Sequence, residues 1–473
     1  MSFLKKLTVV IIVSAFSCSS YFSAAYAKEI FVATNGSNSV TYAENSINKP
    51  WRTVEKGLYS IKAGDTLYIR GGTYKQNRIL TVHSEYRNKN MSGASIVMNS
   101  ESGTKDKPVY IKNYKNEIAV VDVNGLPLFL NLDNKSYWNF EGLVFKNAGV
   151  VFYVGQDAKS IHSGFRNLKI YSRDADKNNG MIHIVSPNAE YAVIENNYLV
   201  GTSESRKAYD EDTSADAGKT SSCVYIRLVR HIKILNNVCK NAHYGFFYKH
   251  RTYTVSEVEN ETKMYDPSPV DIEIAYNFIE NTTRGALYIN ANYAHIHDNI
   301  LGQSNDSVTN NQASGFPGGD YNLYEHNTFY SGSLNLTAQT QSGDNLPGSR
   351  NNTVRNNLFL DGPNVTHWYT DTLPHNTTLD YNVYADPSPI MANNRRYTLS
   401  AWQSFYRQDL HSKAGSVEFV GGGAPNSISG YALSSSSLGY KASADGRDLG
   451  ANVSLVGILT AAKKSPPKAM ILH

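Results

Sequence analysis

Three stretches of the chain carry one short pattern: Ile194-Glu195-Asn196-Asn197-Tyr198, Ile234-Leu235-Asn236-Asn237-Val238 and Ile274-Ala275-Tyr276-Asn277-Phe278. An apolar residue is followed by two mostly polar ones, then Asn, then a second apolar residue. The pattern continues at Ile296-His297-Asp298-Asn299-Ile300, Tyr324-Glu325-His326-Asn327-Thr328, Val354-Arg355-Asn356-Asn357-Leu358 and Leu379-Asp380-Tyr381-Asn382-Val383. Phe165-Arg166-Asn167-Leu168 and Phe140-Glu141-Gly142-Leu143 read as earlier, degenerate copies. From Asn167 onward the steps between aligned Asn positions are 30, 40, 40, 22, 28, 30 and 25 residues. A coil of three short strands with insertions requires such steps, and a period in this range marks a solenoid.

Each coil buries its alternating apolar side chains only when neighbours pile onto it. Asn at a fixed turn suits a left-handed backbone, and its amide can bond to the turns above and below. The apolar spacing alternates and does not follow a helical period, which excludes an α-solenoid. A β-propeller needs a longer, more uniform repeat. The fold class that remains is all-β, a right-handed parallel β-helix.

Composition agrees with that reading. The 473 residues are 41% hydrophobic and 18% charged, with a formal net charge of +4, and the mean hydropathy is −0.40. These values exclude a membrane bundle, and the aromatic content excludes a disordered chain. Without a basic cluster no nucleic-acid partner is expected; a monomer is. Lys5 and Lys6 precede the apolar run Leu7–Ala15, and Ala25-Tyr26-Ala27 is a small-x-small cleavage signal. Residues 1–27 therefore read as a signal peptide of a secreted protein, extracellular or periplasmic, with no membrane anchor. Two Cys follow it, Cys223 and Cys239. Two readings stand for them: a disulfide, which export permits, or two small buried hydrophobes.

Both ends resemble secreted β-helix proteins that act on polysaccharides. The segments Ile30–Ser37, Lys49–Val54 and Ala63–Tyr74 are similar to the amino-terminal module of that group, in which a strand and a capping helix close the first coil. Leu399–Gln403 and Gln408–Ser412 resemble its helix and post-helix region, and Asp448-Leu449-Gly450-Ala451 its closing turn. The expected organisation is a β-helix domain over 28–385, with long insertions at 201–221 and 251–269, and a C-terminal helix, cap segment and tail over 386–473.

Equivalent positions of stacked coils form columns, so the strands before the Asn turns can be aligned. Gly180–Val185, Ser222–Arg227, Gly245–His250 and Gly285–Asn290 are set over one another. Alternation then places Ile182, Val224, Phe247 and Leu287 in the core. His183, Tyr225, Tyr248 and Tyr288 form an outward column, with Arg227, His250 and Asn290 in a second. Lys249 falls among Ile184, Ile226 and Ile289, which means an outward bend of its strand or a register one residue off. Arg284 opens the last strand, and His243 and Arg251 flank the third. His295, His297 and His326 are read as solvated turn residues, and Arg230 and His231 as candidate substrate contacts.

That strip suits eliminative cleavage of a uronate glycan. A cation must pair with the C6 carboxylate, a base must remove the C5 proton, and an acid must protonate the departing O4. Arg227 and Arg284 fit the first role through bidentate pairing. His250 or Lys249 fits the second and Tyr248 or a His the third. His183, Tyr225, Tyr288, His243, Arg251 and Asn290 would contact the sugar. The chemistry requires no cofactor. The acidic residues Asp210, Glu211, Asp212 and Asp216, with Glu257, Glu259 and Glu261, offer hard oxygen ligands for Ca²⁺ or simply solvate the two insertions.

The whole resembles the polysaccharide lyases of the pectate-, alginate- and chondroitin-lyase β-helix group, and its organisation is similar to that of Vibrio-type biofilm exopolysaccharide lyases. The resemblance implies lyase activity on an acidic, uronate-containing exopolysaccharide. Gly245-Phe246-Phe247-Tyr248-Lys249 lacks the Asp of the Asp-Gly-Phe run that holds the basic Lys of Ca²⁺-dependent pectate lyases. Tyr244-Gly245-Phe246 with His250 is similar to the Tyr-Gly-Phe-Asp-Pro-His element of mannuronan epimerases, without its Asp-Pro. An epimerase, a polygalacturonase-type hydrolase and a non-catalytic glycan-binding or adhesive β-helix are the alternatives. The hydrolase needs paired carboxylates that the strip lacks, and the adhesin needs no cationic cluster.

Overall fold

The structure is a computed structural model. It describes residues 27–77, 80–81, 96–97, 100–155, 158–173, 179–202, 221–249, 270–303, 310–312, 319–336, 351–360, 365–367, 376–392 and 395–458. The signal-peptide reading, most of the first insertion and all of the second lie outside the described residues. Twelve parallel strands, from Glu29–Val32 to Thr378–Asp380, stack into one sheet in which each strand pairs with that of the next coil. A second sheet of eighteen strands wraps the other two walls of the coil, and a five-stranded sheet continues one of them. The chain is thus a parallel β-helix.

The first apolar residue of the repeat makes the inner column. Ile194, Ile234, Ile274, Ile296, Tyr324, Val354 and Leu379 lie in direct register, and all are buried. Stacking like on like removes each side chain from water on both sides, worth roughly 2 kcal/mol apiece. Asn197, Asn237, Asn277, Asn299, Asn327, Asn357 and Asn382 form a second column. From Asn237 on, each carboxamide oxygen accepts the backbone N–H and the Nδ2 of the Asn one coil earlier, as Asn277 Oδ1 does from Asn237 at 2.8 and 3.1 Å.

One expectation is corrected at this turn. The left-handed residue is the one before the ladder Asn: Asn196, Asn236, Tyr276, Asp298, His326, Asn356 and Tyr381 all have φ between 51° and 60°. Asn167 is also left-handed, so Leu168 occupies the ladder position and donates its N–H to Asn197 Oδ1 at 2.9 Å. The first step is 29 residues. Asn167 is thus the counterpart of Asn196, and the ladder position of that copy holds no Asn.

The second apolar residue of the repeat faces out. Val238, Phe278, Ile300, Leu358 and Val383 pack with Phe419, Tyr431, Leu433, Leu449 and Val456 in a cluster separate from the main core. Residues 415–458, nearly free of regular secondary structure, run back over this outer wall. Their backbone is pinned coil by coil: Gly450 N–H to Asn356 O at 2.9 Å, Asn452 N–H to Asp298 Oδ1 at 3.1 Å, and Gly457 N–H to Tyr276 O at 2.8 Å. Asp448–Ala451, read above as a closing turn, belongs to this external strap.

Two histidines read as solvated turn residues are covered. His297 and His326 are buried, 9% and 2% exposed. Burial alone would lower the His297 pKa, but Asp298 at 3.0 Å and Glu273 at 3.5 Å outweigh it and raise it to about 9. His295 stays half-exposed and pairs with Glu325 at 2.9 Å.

Among the described residues two α-helices flank the stack. Helix α1, Val54–Ser60, starts at Thr53, whose side chain accepts from Lys56 N–H, and buries Val54 and Leu58. Helix α2, Leu399–Tyr406, starts at Thr398 and buries Leu399 and Trp402.

Of the two readings of the cysteines, the disulfide is the one formed. Cys223 and Cys239 are bonded, 16 residues apart and fully buried. The bond closes residues 223–239 into a covalent ring. Loop-closure entropy predicts about 3 kcal/mol for a ring of this size. Replacing both Cys by Ala should lower the urea midpoint accordingly; an unchanged midpoint would show that stacking alone fixes this coil.

Candidate active site

Five strands build the face on which the candidate residues were expected: β1 Val150–Val154, β2 Asn179–Val185, β3 Ser221–Arg227, β4 Val238–Lys249 and β5 Phe278–Asn290. Register runs Tyr153, His183, Tyr225, Phe247, Tyr288 along one outward column. Its neighbour runs Val185, Arg227, Lys249, Asn290. The rings of the first column stack at centroid distances of 5.1, 4.5, 4.8 and 4.3 Å. Tyr244 packs edge-on against Phe247 and Tyr288.

The expected register is therefore one residue off in β4. Phe246 and Tyr248 point into the core, 1% exposed each, and Phe247 and Lys249 face outward. Tyr248 donates its hydroxyl to Val229 O at 2.6 Å, and burial raises its pKa far above that of a free phenol. Buried and committed to a backbone carbonyl, it cannot deliver a proton to a sugar. Gly285 pairs with Tyr244, not with Gly245. Gly245 lies where a Cβ would collide with Ala286 O and Ile279, a close approach that only glycine permits.

The register slip brings Lys249 beside Arg227. The two are Cα partners on adjacent strands, so their cationic side chains leave the same side of the sheet one strand spacing apart, about 5 Å. Tyr225, Arg227, Phe247 and Lys249 are half-exposed. The ends of the strip are covered: His183 is 6%, Tyr288 5% and Asn290 3% exposed, and His243 is buried at the bend of β4. The reachable part of the strip is thus narrower than expected. Burial lowers the His183 pKa to about 3, so it is a neutral imidazole between Tyr153 and Tyr225. Burial raises Tyr225 as well. His250 and Arg251 lie outside the described residues; Arg284 lies on β5, its side chain outside them too.

Phe247 and Tyr153 were missed as members of the ring column. The signal that finds them is the Ile226–Tyr248–Ile289 register, which makes Tyr248 the inward residue. Arg230 and His231 lie at the turn that follows β3, and His231 Nδ1 is 3.1 Å from Asp271 Oδ2. Among the described residues no group of three or more His, Cys, Asp or Glu side chains could hold a metal. The acidic residues of both insertions lie outside the described residues. No described helix is long and apolar enough to cross a membrane.

Fold and strip together define a β-helix with an outward ring column and an adjacent Arg–Lys pair. Residues 30–222 match the family described as Pel9A-like, right handed beta helix region, which gives the coil its hand. The matched span ends inside β3, before Arg227 and Lys249. Pectate lyase PEL9 of Emericella nidulans is 27% identical over 173 residues, 33% of this chain. The alignment spans only 35% of that relative's length. Among solved structures, pectate lyase Pel9A is similar at 15% identity, covering 90% of this chain and 96% of that one, with a TM-score of 0.47. A PL6 family polysaccharide lyase from Pseudopedobacter saltans is similar at 13% identity, covering 85% and 96%, with a TM-score of 0.41. The chain is similar to polysaccharide lyases built as right-handed parallel β-helices.

Proposed function

We propose that the protein is a secreted polysaccharide lyase that cleaves an acidic, uronate-containing exopolysaccharide by β-elimination. The observation that carries this reading is the direct pairing of Arg227 with Lys249 beside a column of rings. Arg227 takes the C6 carboxylate, spreading the charge that builds when the C5 proton leaves. Lys249, as a neutral amine, accepts that proton. The freed electron pair becomes the C4–C5 double bond, the C4–O4 bond breaks, and an acid protonates O4. His250, which lies outside the described residues, is the candidate for that last role. Tyr225 and Phe247 give the sugar a flat wall. The buried Cys223–Cys239 bond supports an oxidising compartment and hence export.

The test is incubation with polygalacturonate, alginate and exopolysaccharides of the source organism, read by the ultraviolet absorbance of an unsaturated uronate. Arg227→Ala and Lys249→Ala should each lower turnover at least about 100-fold without changing the melting temperature, the size expected for losing a charge-stabilising group or a base. New reducing ends without the absorbance would replace the lyase by a hydrolase. Full activity in both variants would move the chemistry elsewhere.

A further inference from the structure

A second set of aromatic residues lies at the turn that leaves the strip, in six of seven successive coils: Tyr137, His162, Tyr191, His231, Tyr293 and Tyr321. Their register follows from the paired strands beside them. All six have left-handed backbones, φ 54° to 60°. That conformation disfavours bulky side chains and suits Asn or Gly. Two coils further on the same turn uses Asn351 and Asn376, so the chain has the unstrained residue available and places rings instead.

The rings form two stacks. Tyr137, His162, Tyr191 and His231 follow at 4.8, 4.7 and 4.6 Å, and Tyr293 and Tyr321 at 4.8 Å. Asp271 occupies the rung between them and takes His231 Nδ1. In chain order that rung closes the coil of β4, the coil of Lys249. Four rings therefore precede the Lys249 coil and two follow it. Tyr191, Tyr293 and Tyr321 are 42%, 42% and 48% exposed. Because the rings cover one another's faces, they offer the solvent their edges, with phenol and imidazole donors repeating at about the rise of one coil, ~4.8 Å.

We propose that this turn column is a glycan-binding rail that holds a polysaccharide chain along the solenoid axis on both sides of the Lys249 coil. The electropositive ring edges and the donors suit sugar oxygens, and the repeat matches successive residues of an extended polyhydroxylated polymer. A rail of this length favours a long chain gripped at several sugars over a short oligosaccharide, because each added contact is made at high effective concentration. The location of the track rests on the lyase reading of the strip; the rail's affinity for glycan does not.

The test is the triple variant Tyr191→Asn, Tyr293→Asn, Tyr321→Asn. Asn adopts the same backbone readily, so the melting temperature should hold or rise. Retardation in native gels containing polygalacturonate or alginate should weaken at least tenfold, and KM for a cleaved polymer should rise by the same factor. Unchanged retardation and KM in the triple variant overturn the rail, as does failure of the parent protein to be retarded by either polymer. If the parent is retarded, the triple variant is not, and no polymer yields the unsaturated product, the rail stands and the lyase reading falls. If Lys249→Ala loses turnover while the triple variant binds normally, the reverse holds.

Discussion

Asn277→Ala should destabilise the protein by about 3–5 kcal/mol, far beyond an ordinary surface substitution. Its Nδ2 donates to Ile234 O at 2.8 Å and to Asn299 Oδ1 at 2.9 Å, and its Oδ1 accepts the N–H and Nδ2 of Asn237. All of these groups are buried. Alanine leaves a backbone N–H and a side-chain amide hydrogen without partners, each costing about 1–3 kcal/mol, and opens a small void. Asn277→Asp should be worse. A carboxylate keeps the two acceptor contacts but faces Ile234 O and Asn299 Oδ1 with no hydrogen to offer, while burying a charge. Urea unfolding of the two variants measures the ranking; a loss below about 1 kcal/mol for Ala would mean that the ladder is a consequence of stacking and not a cause of it.

Asp409→Asn should act in the opposite direction. This carboxylate ends the ladder: its Oδ1 accepts from Asn382 at 3.3 Å, Tyr384 at 3.0 Å and Ser412 at 2.6 Å, and its Oδ2 has no hydrogen-bond partner among the described residues. Full burial is the largest influence and raises its pKa from 3.8 to about 6, against the three hydrogen bonds that lower it. Between those values the folded state binds more proton than the unfolded one, so stability falls as pH rises from 3.8 through 6 and stays reduced above. The full penalty is about 3 kcal/mol. Asn keeps the acceptor oxygen and suits the left-handed backbone at φ 54°. It should therefore be more stable than the parent by about 1–2 kcal/mol at pH 7 and no more stable at pH 4. Melting temperatures across that range decide it; a gain that is equal at both pH values would remove the buried charge as its cause.

The sequence made the coil legible because its strongest constraints repeat in place. The inward Ile column and the ladder Asn sit at fixed offsets in every copy, and steric and hydrogen-bond demands admit few substitutes. The strip was legible in composition but not in register. Strand β4 bends at left-handed Asn241 and shifts by one residue against β5 between Ala242 and Tyr244. Aligning Gly245 with Gly285 hid that shift, and one residue exchanges inside for outside. This is why the sequence reads Tyr248 as a surface acid and Phe247 as core. The strap was not legible because Phe419, Tyr431, Leu433, Leu449 and Val456 follow no period and find their partners only in three dimensions. The solvated reading of His326 fails with it, since Asp445 and Arg447, which face its ring, come from the far end of the chain; His297 is buried by its own coils, against Glu273 and Asp298.

The strap carries a consequence for solubility. Val238, Phe278, Ile300, Leu358 and Val383 lie along one outer wall, and Phe419, Tyr431, Leu433, Leu449 and Val456 of the strap pack over them. Were that segment cut away, the molecule would keep its coils and its strip yet present a greasy stripe on a flat parallel sheet. Such a stripe is self-complementary between copies. Shortening the chain from its C-terminal side should therefore yield protein that clumps before it unfolds.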